Sequence, residues 1–70
     1  MNMFFQRSGL AKLHYGASDF TILEGGAHVL CAVTGDKIPL EELRYWNDDR
    51  QEAYRDAAAA LQGFQRAGVL

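Results

Sequence analysis

Residues 48–64 read Asp48-Asp49-Arg50-Gln51-Glu52-Ala53-Tyr54-Arg55-Asp56-Ala57-Ala58-Ala59-Ala60-Leu61-Gln62-Gly63-Phe64, and this stretch decides the fold class. Asp48 is a favoured N-cap residue, and Gln51 three positions later completes a capping-box pattern. Asp49 and Glu52 place negative charge in the first turn, where the helix dipole favours it. The run from Ala57 to Ala60 has the highest intrinsic helix propensity. Ala53, Tyr54, Ala57, Ala60, Leu61 and Phe64 recur at helical spacing and form one apolar stripe, with Gln51, Arg55, Asp56, Gln62 and Arg66 on the other face. The spacing predicts a helix that starts at Asp48 and frays after Gly63.

Upstream of the helix the period changes from 3.6 to 2. Ala11 to Tyr15 alternates, with Leu13 and Tyr15 on one face and Lys12 and His14 on the other, which predicts a half-buried strand. Gly16-Ala17-Ser18-Asp19 has turn chemistry, and Phe20 to Leu23 is rich in strand-forming residues. Glu24 to Ala27 breaks that strand. His28 to Val33 is apolar on both faces apart from His28, as a central strand would be. Together these segments predict a meander of three antiparallel strands.

Thr34-Gly35-Asp36-Lys37 predicts a tight turn, and Ile38 before Pro39 stays extended. Leu40 to Leu43 fits either a helical turn opened by Pro39 or a loop. Leu43 to Trp46 is read as a fourth strand, with Leu43 and Tyr45 on one side and Arg44 and Trp46 on the other. The expected fold is therefore α+β: a three- or four-stranded antiparallel sheet with one C-terminal helix across a face. Leu13, Phe20, Ile22, Val29, Leu30, Val33, Leu43, Tyr54, Leu61 and Phe64 are the expected core.

A chain of 70 residues is expected to make one domain, with residues 1–10 expected as a poorly ordered lead-in whose Phe4 and Phe5 could cap the core edge. Hydrophobic residues at 49% and charged residues at 23% place it among globular proteins rather than disordered ones. The net charge of −2 offers no electrostatic footprint for nucleic acid or an anionic membrane. No secretory h-region and no bilayer-length apolar run occur, and Cys31 is the single cysteine, so a reducing cytoplasm is the expected location. A core this small is close to energetic balance, so a homodimer or a docked partner is the expected source of further stability.

Residues 31–46 read Cys31-Ala32-Val33-Thr34-Gly35-Asp36-Lys37-Ile38-Pro39-Leu40-Glu41-Glu42-Leu43-Arg44-Tyr45-Trp46. This run resembles a family of short, uncharacterised bacterial proteins classed as a domain of unknown function. The resemblance spans Ala11 to Leu61 and implies no known activity. A second resemblance is local. Cys31, Gly35, Ile38 and Pro39 sit as they do in a zinc-ribbon knuckle, but Thr34 stands where the second cysteine belongs, and a hydroxyl is a poor zinc ligand. Thr34 is expected to bond the turn backbone instead.

The remaining candidates reduce to ordinary structure. His28 and Cys31 lie three apart on a strand and so point to opposite faces. No cofactor and no metal are expected. A Cys31 nucleophile would need a nearby base and a lowered pKa, and burial in this apolar stretch is expected to raise the thiol instead. Glu41-Glu42 reads as a solvated pair and Gly25-Gly26 as a turn. No acid–base pair or activated nucleophile can be assembled, so catalysis is not expected.

Arg44-Tyr45-Trp46 is the candidate interface, since arginine and large aromatics dominate protein–protein hot spots. The expected function is a non-catalytic protein-interaction module, with homodimerisation as one form. The alternative is a small metal- or nucleic-acid-binding protein built on the degenerate knuckle, which the flanking acidic residues disfavour for nucleic acid.

Overall fold

A computed structural model describes residues 9–68. Most of the expected lead-in, with Phe4 and Phe5, lies outside the described residues. At its inner end, Gly9 C=O accepts from Ala27 N–H at 2.9 Å and Leu10 bridges His28 in parallel.

The described residues form six strands and one helix: β1 (Lys12–Tyr15), β2 (Phe20–Glu24), β3 (His28–Leu30), β4 (Lys37–Pro39), β5 (Tyr45–Asn47), β6 (Glu52–Tyr54) and α1 (Ala57–Arg66), with a 3₁₀ turn at Leu40–Glu42. The α+β class and the C-terminal helix hold. The single antiparallel sheet is replaced by three two-stranded antiparallel pairs, β1–β2, β3–β4 and β5–β6. The expected meander fails at its second step, because β3 pairs with β4 rather than with β2. Two parallel bridges tie the pairs together, Leu10–His28 and Cys31–Ala53.

The hairpin β1–β2 forms as its alternation requires. Gly16 N–H donates to Asp19 C=O at 2.7 Å, and Asp19 Oδ1 accepts from Phe20 N–H at 2.8 Å. The 3₁₀ turn follows Pro39, so Leu40–Glu42 is a helical turn rather than a loop, with Pro39 as its cap.

The principal correction concerns residues 48–56, which are not helical. Asn47, buried at the end of β5, accepts at Oδ1 from Asp49 N–H (2.9 Å) and Arg50 N–H (3.2 Å). This side chain takes the Arg50 N–H, one of the two amides that a capping Asp48 would have served. Gln51 then adopts φ 56°, in the left-handed region, and the chain returns as β6. The Gln51 amide accepts from Tyr15 N–H at 2.9 Å and donates to Tyr15 C=O at 2.8 Å, standing in for a neighbouring strand. A local capping preference worth about 1 kcal/mol is outweighed by these contacts, made across 36 positions of sequence.

The helix begins eight positions late. Asp56, extended at φ −156°, accepts at Oδ1 from Ala59 N–H at 2.8 Å. Helix α1 then runs through Gly63 to Arg66 without fraying there, because Gly63 is buried against the Tyr54 ring. The chain leaves the helix through Ala67 and Gly68, the latter at φ 80°.

Asp56 accepts from Ala59 N–H and pairs with Arg55, and both hold its carboxyl below the ordinary carboxylate range. Its folded pKa is depressed, so its contribution is present above the unfolded pKa and is lost as pH falls through the folded one. Far-UV circular dichroism in an acid titration is expected to show a loss of helix signal that Asp56→Asn, a cap without a titrating proton, lacks. Equal acid profiles would remove Asp56 as the cause.

The core differs in membership from the expected one. Val29, Leu43 and Tyr54 are buried, and Leu13, Phe20, Val33 and Phe64 pack partly against them. Ile22, Leu30 and Leu61 are instead about half exposed, at 54%, 47% and 51%. Ala11, Tyr15, Cys31, Ile38, Ala53, Ala59 and Ala60 take their places. On α1 the buried face is Ala59, Ala60 and Gly63, so Ala57 and Leu61 face solvent. Small residues let the helix approach the β5–β6 hairpin closely, and Leu61 is left at the margin.

Candidate interaction surface

The expected interface triad is divided. Arg44 and Tyr45 are exposed, Tyr45 at 40%. Trp46 is half-buried, and its Nε1–H donates to Gly16 C=O at 2.8 Å. Its ring stacks on Tyr15 (centroids 6.1 Å apart, planes at 26°) and meets Phe20 edge-on at 5.6 Å. Trp46 therefore fastens the β1–β2 hairpin to β5, while Arg44 and Tyr45 remain free for contact. Leu43 is buried although Tyr45 is not, so the two do not share a face as expected.

A groove of about 290 Å³ opens between β1 and β3, lined by Leu10, Leu13, Val29, Leu30 and Ala53, with Lys12 and Glu52 at its rim. Its origin is a parallel pairing that starts and stops. Ala11 N–H donates to His28 C=O at 2.7 Å, after which β1 and β3 diverge around the start of β6. Gln51 closes the far end by holding Tyr15, and Ala32 N–H donates to Ala53 C=O at 2.9 Å on the opposite wall.

Strand alternation then fixes which backbone groups look into the gap. Tyr15 turns both its N–H and C=O away from β2, so Leu13 does the same. On β3, Cys31 N–H faces Asp36 and His28 C=O faces Ala11, so Leu30 N–H faces the groove. Among the described residues the Leu13 N–H and C=O and the Leu30 N–H have no partner on that side.

The sequence reading did not place Leu10 and Leu30 on this surface. A signal was present: with Val29 in the core, period-2 alternation turns Leu30 outward. Nothing local marks Gln51 as the groove's end wall.

Gln51 lends itself to a direct test. Gln51→Ala leaves the Tyr15 N–H and C=O unserved and is expected to cost about 1–3 kcal/mol. Gln51→Gly loses the same bonds but fits the left-handed backbone, recovering about 1 kcal/mol of that loss. Urea denaturation midpoints in the order wild type, Gly, Ala are the expected result. Equal midpoints for wild type and Ala would show that the Tyr15 contacts contribute nothing.

In the turn after β3, Thr34 bonds the turn backbone: its Oγ1 accepts from Asp36 N–H at 3.2 Å. Cys31 Sγ accepts from Thr34 N–H at 3.4 Å, and Gly35, at φ 79°, donates its N–H to Cys31 C=O. The expected rise in the thiol pKa is corrected. Burial pushes it up, but hydrogen bonds from Thr34, Arg55 and Val33 outweigh that and lower it. Cys31 is nonetheless 3% exposed. Its reaction with an aromatic disulfide reagent is expected to be slow in the native protein and fast in denaturant; fast native labelling would show that the turn opens readily.

Among the described residues no three His, Cys, Asp or Glu side chains come together as a metal-binding group. No helix of the described residues is long and apolar enough to cross a membrane. Arg55 pairs with both Asp36 and Asp56 at the surface, joining the turn after β3 to the start of α1.

Residues 22–63 match the model of a protein family described as "Uncharacterized protein conserved in bacteria (DUF2093)". No curated protein and no solved structure matches the chain.

Proposed function

We propose, from the premise that the chain belongs to this bacterial family of uncharacterized proteins, DUF2093, that it is a non-catalytic protein-interaction module that takes an extended apolar segment of another protein into the groove between β1 and β3. The observation that carries this reading is the pairing of exposed apolar side chains with unserved backbone groups. Leu10 and Leu30, 59% and 47% exposed, flank a gap into which Leu13 N–H, Leu13 C=O and Leu30 N–H point. An extended peptide answers both demands at once: its main chain supplies donors and acceptors, and its alternate side chains fill the apolar walls.

Lys12 and Glu52 also line the groove; Glu52 is engaged by Arg50 and the Tyr54 hydroxyl, so Lys12 is the charge that favours one orientation of the bound segment. Tyr45, on β5, and Arg44, just before it, are exposed and offer further contacts. Trp46 supports that surface from behind, because its ring and Nε1–H are already engaged by Tyr15, Phe20 and Gly16.

The test compares capture of partners from a bacterial lysate by the wild-type chain and by Leu30→Asp. Leu30 is exposed, so the substitution is expected to leave the fold intact while reducing a captured protein at least about tenfold. Amide exchange at Leu13 and Leu30 is expected to slow when that protein is added. Equal capture by both chains, with unchanged exchange at those two amides, would remove the groove from the reading.

A further inference from the structure

The outer edge of β2 is a second unpartnered surface, separate from the groove. Leu13 and Tyr15 turn their backbone groups away from β2, so their cross-strand partners Ile22 and Phe20 turn theirs outward. Phe20 N–H is taken by Asp19 Oδ1. The Ile22 N–H and C=O and the Phe20 C=O have no partner among the described residues. The strand reads Phe20-Thr21-Ile22-Leu23-Glu24, and Ile22 and Leu23 are 54% and 58% exposed. Residues 20–23 contain no proline, lysine or other charge, the usual devices that keep an exposed edge from pairing. Only the Glu24 end carries an irregularity, where Leu23 is skipped in the register with β1.

We propose that this edge is covered by the same edge of a second copy of the chain, the two β2 strands running antiparallel about a two-fold axis through Thr21. That axis sets Ile22 N–H of each copy against Phe20 C=O of the other, one free donor on one free acceptor at each end, while each Ile22 C=O faces a Phe20 N–H that must first leave Asp19 Oδ1. It sets Thr21 opposite itself in a non-hydrogen-bonded pair, a favourable contact between β-branched residues. No like charges meet within the paired residues. One patch serves both copies, as a two-fold interface requires.

The monomer's core supplies the reason for a second subunit. Among the described residues, four of ten buried apolar residues are alanine, and Tyr54 is the one large side chain that is fully buried. A chain of this length with so little apolar volume inside gains most from burying Ile22 and Leu23 against a copy.

Sedimentation equilibrium of the full chain from micromolar to near-millimolar concentration tests the proposal. A concentration-dependent monomer–dimer equilibrium is expected, and Ile22→Lys is expected to weaken it at least about tenfold with circular dichroism and Trp46 fluorescence unchanged. Thr21→Cys, at the axis, is expected to cross-link to its copy under mild oxidation far faster than Lys37→Cys on β4, and it decides the matter if Ile22→Lys does not fold. Leu30→Asp, which disables the groove, is expected to dimerise as the wild type does. A wild-type chain that stays monomeric throughout, an Ile22→Lys chain that associates equally well, or equal cross-linking of the two cysteine variants overturns the proposal.

Discussion

Replacing Gly63 by alanine is expected to destabilise the protein severely, although alanine is the better helix former by about 1 kcal/mol. A Cβ at residue 63 would sit 2.7 Å from the Tyr54 hydroxyl oxygen and closer still to two carbons of its ring. The ring cannot retreat, because Tyr54 is 0% exposed, packs on Phe64 with centroids 5.7 Å apart, and donates its hydroxyl to Glu52 Oε1 at 3.0 Å. Overpacking of this kind costs about 1–3 kcal/mol and sometimes more. The total stability of a domain this size is roughly 4–10 kcal/mol, so thermal melting is expected many degrees lower.

A double-mutant cycle separates the ring clash from a general effect on the helix. Tyr54→Ala alone is expected to cost about 3–5 kcal/mol, as for other large aromatic truncations in a core. In that background Gly63→Ala is expected to change sign and become neutral or mildly stabilising, since only the helix preference remains. If Gly63→Ala is equally damaging with and without the Tyr54 ring, close helix packing is not what holds residue 63 to glycine.

Gly26→Ala is the second substitution with a large expected effect, and its neighbour provides the control. A Cβ on Gly26 would lie 2.5 Å from Ala11 N, 2.7 Å from Ala11 Cα and 2.7 Å from Gly9 C=O, all of them backbone. Side chains can rotate aside, but these atoms move only if the segment 9–11 separates from 26–28. That separation breaks Ala11 N–H to His28 C=O and Ala27 N–H to Gly9 C=O. Two such bonds at about 1 kcal/mol each, with about 1–3 kcal/mol of overpacking, give an expected loss of about 3–5 kcal/mol. The groove between β1 and β3 opens from the same junction, so partner capture is expected to fail along with stability.

Gly25→Ala meets nothing within 4 Å and is expected to stay within about 0.5 kcal/mol of wild type. Urea denaturation of the two variants side by side checks the contrast. Similar midpoints would mean that the Gly9–Ala11 junction yields more easily than its backbone contacts suggest.

The sequence alone determined what short-range chemistry dictates. Alternation at Leu13 and Tyr15 and the turn residues Gly16 to Asp19 specified the first hairpin, because the groups that form it are neighbours along the chain. The extended Ile38-Pro39 step followed from sterics between adjacent residues, and the alanine run specified that a helix occurs. The tertiary structure decided where that helix starts, since the competition at Asp48 is won by Asn47, by Gln51 gripping Tyr15, and by burial of Tyr54. Asn47 acts locally, through Asp49 N–H and Arg50 N–H, but the Gln51–Tyr15 bonds reach across 36 positions and the burial of Tyr54 depends on tertiary packing, so neither can be read from the residues around Asp48. It also decided which strands pair and, through the parting of β1 from β3, which leucines stay at the surface. A strand's pattern tells which residues share a face but not what that face meets, so the groove and the free β2 edge follow from assembly of the three hairpins in space.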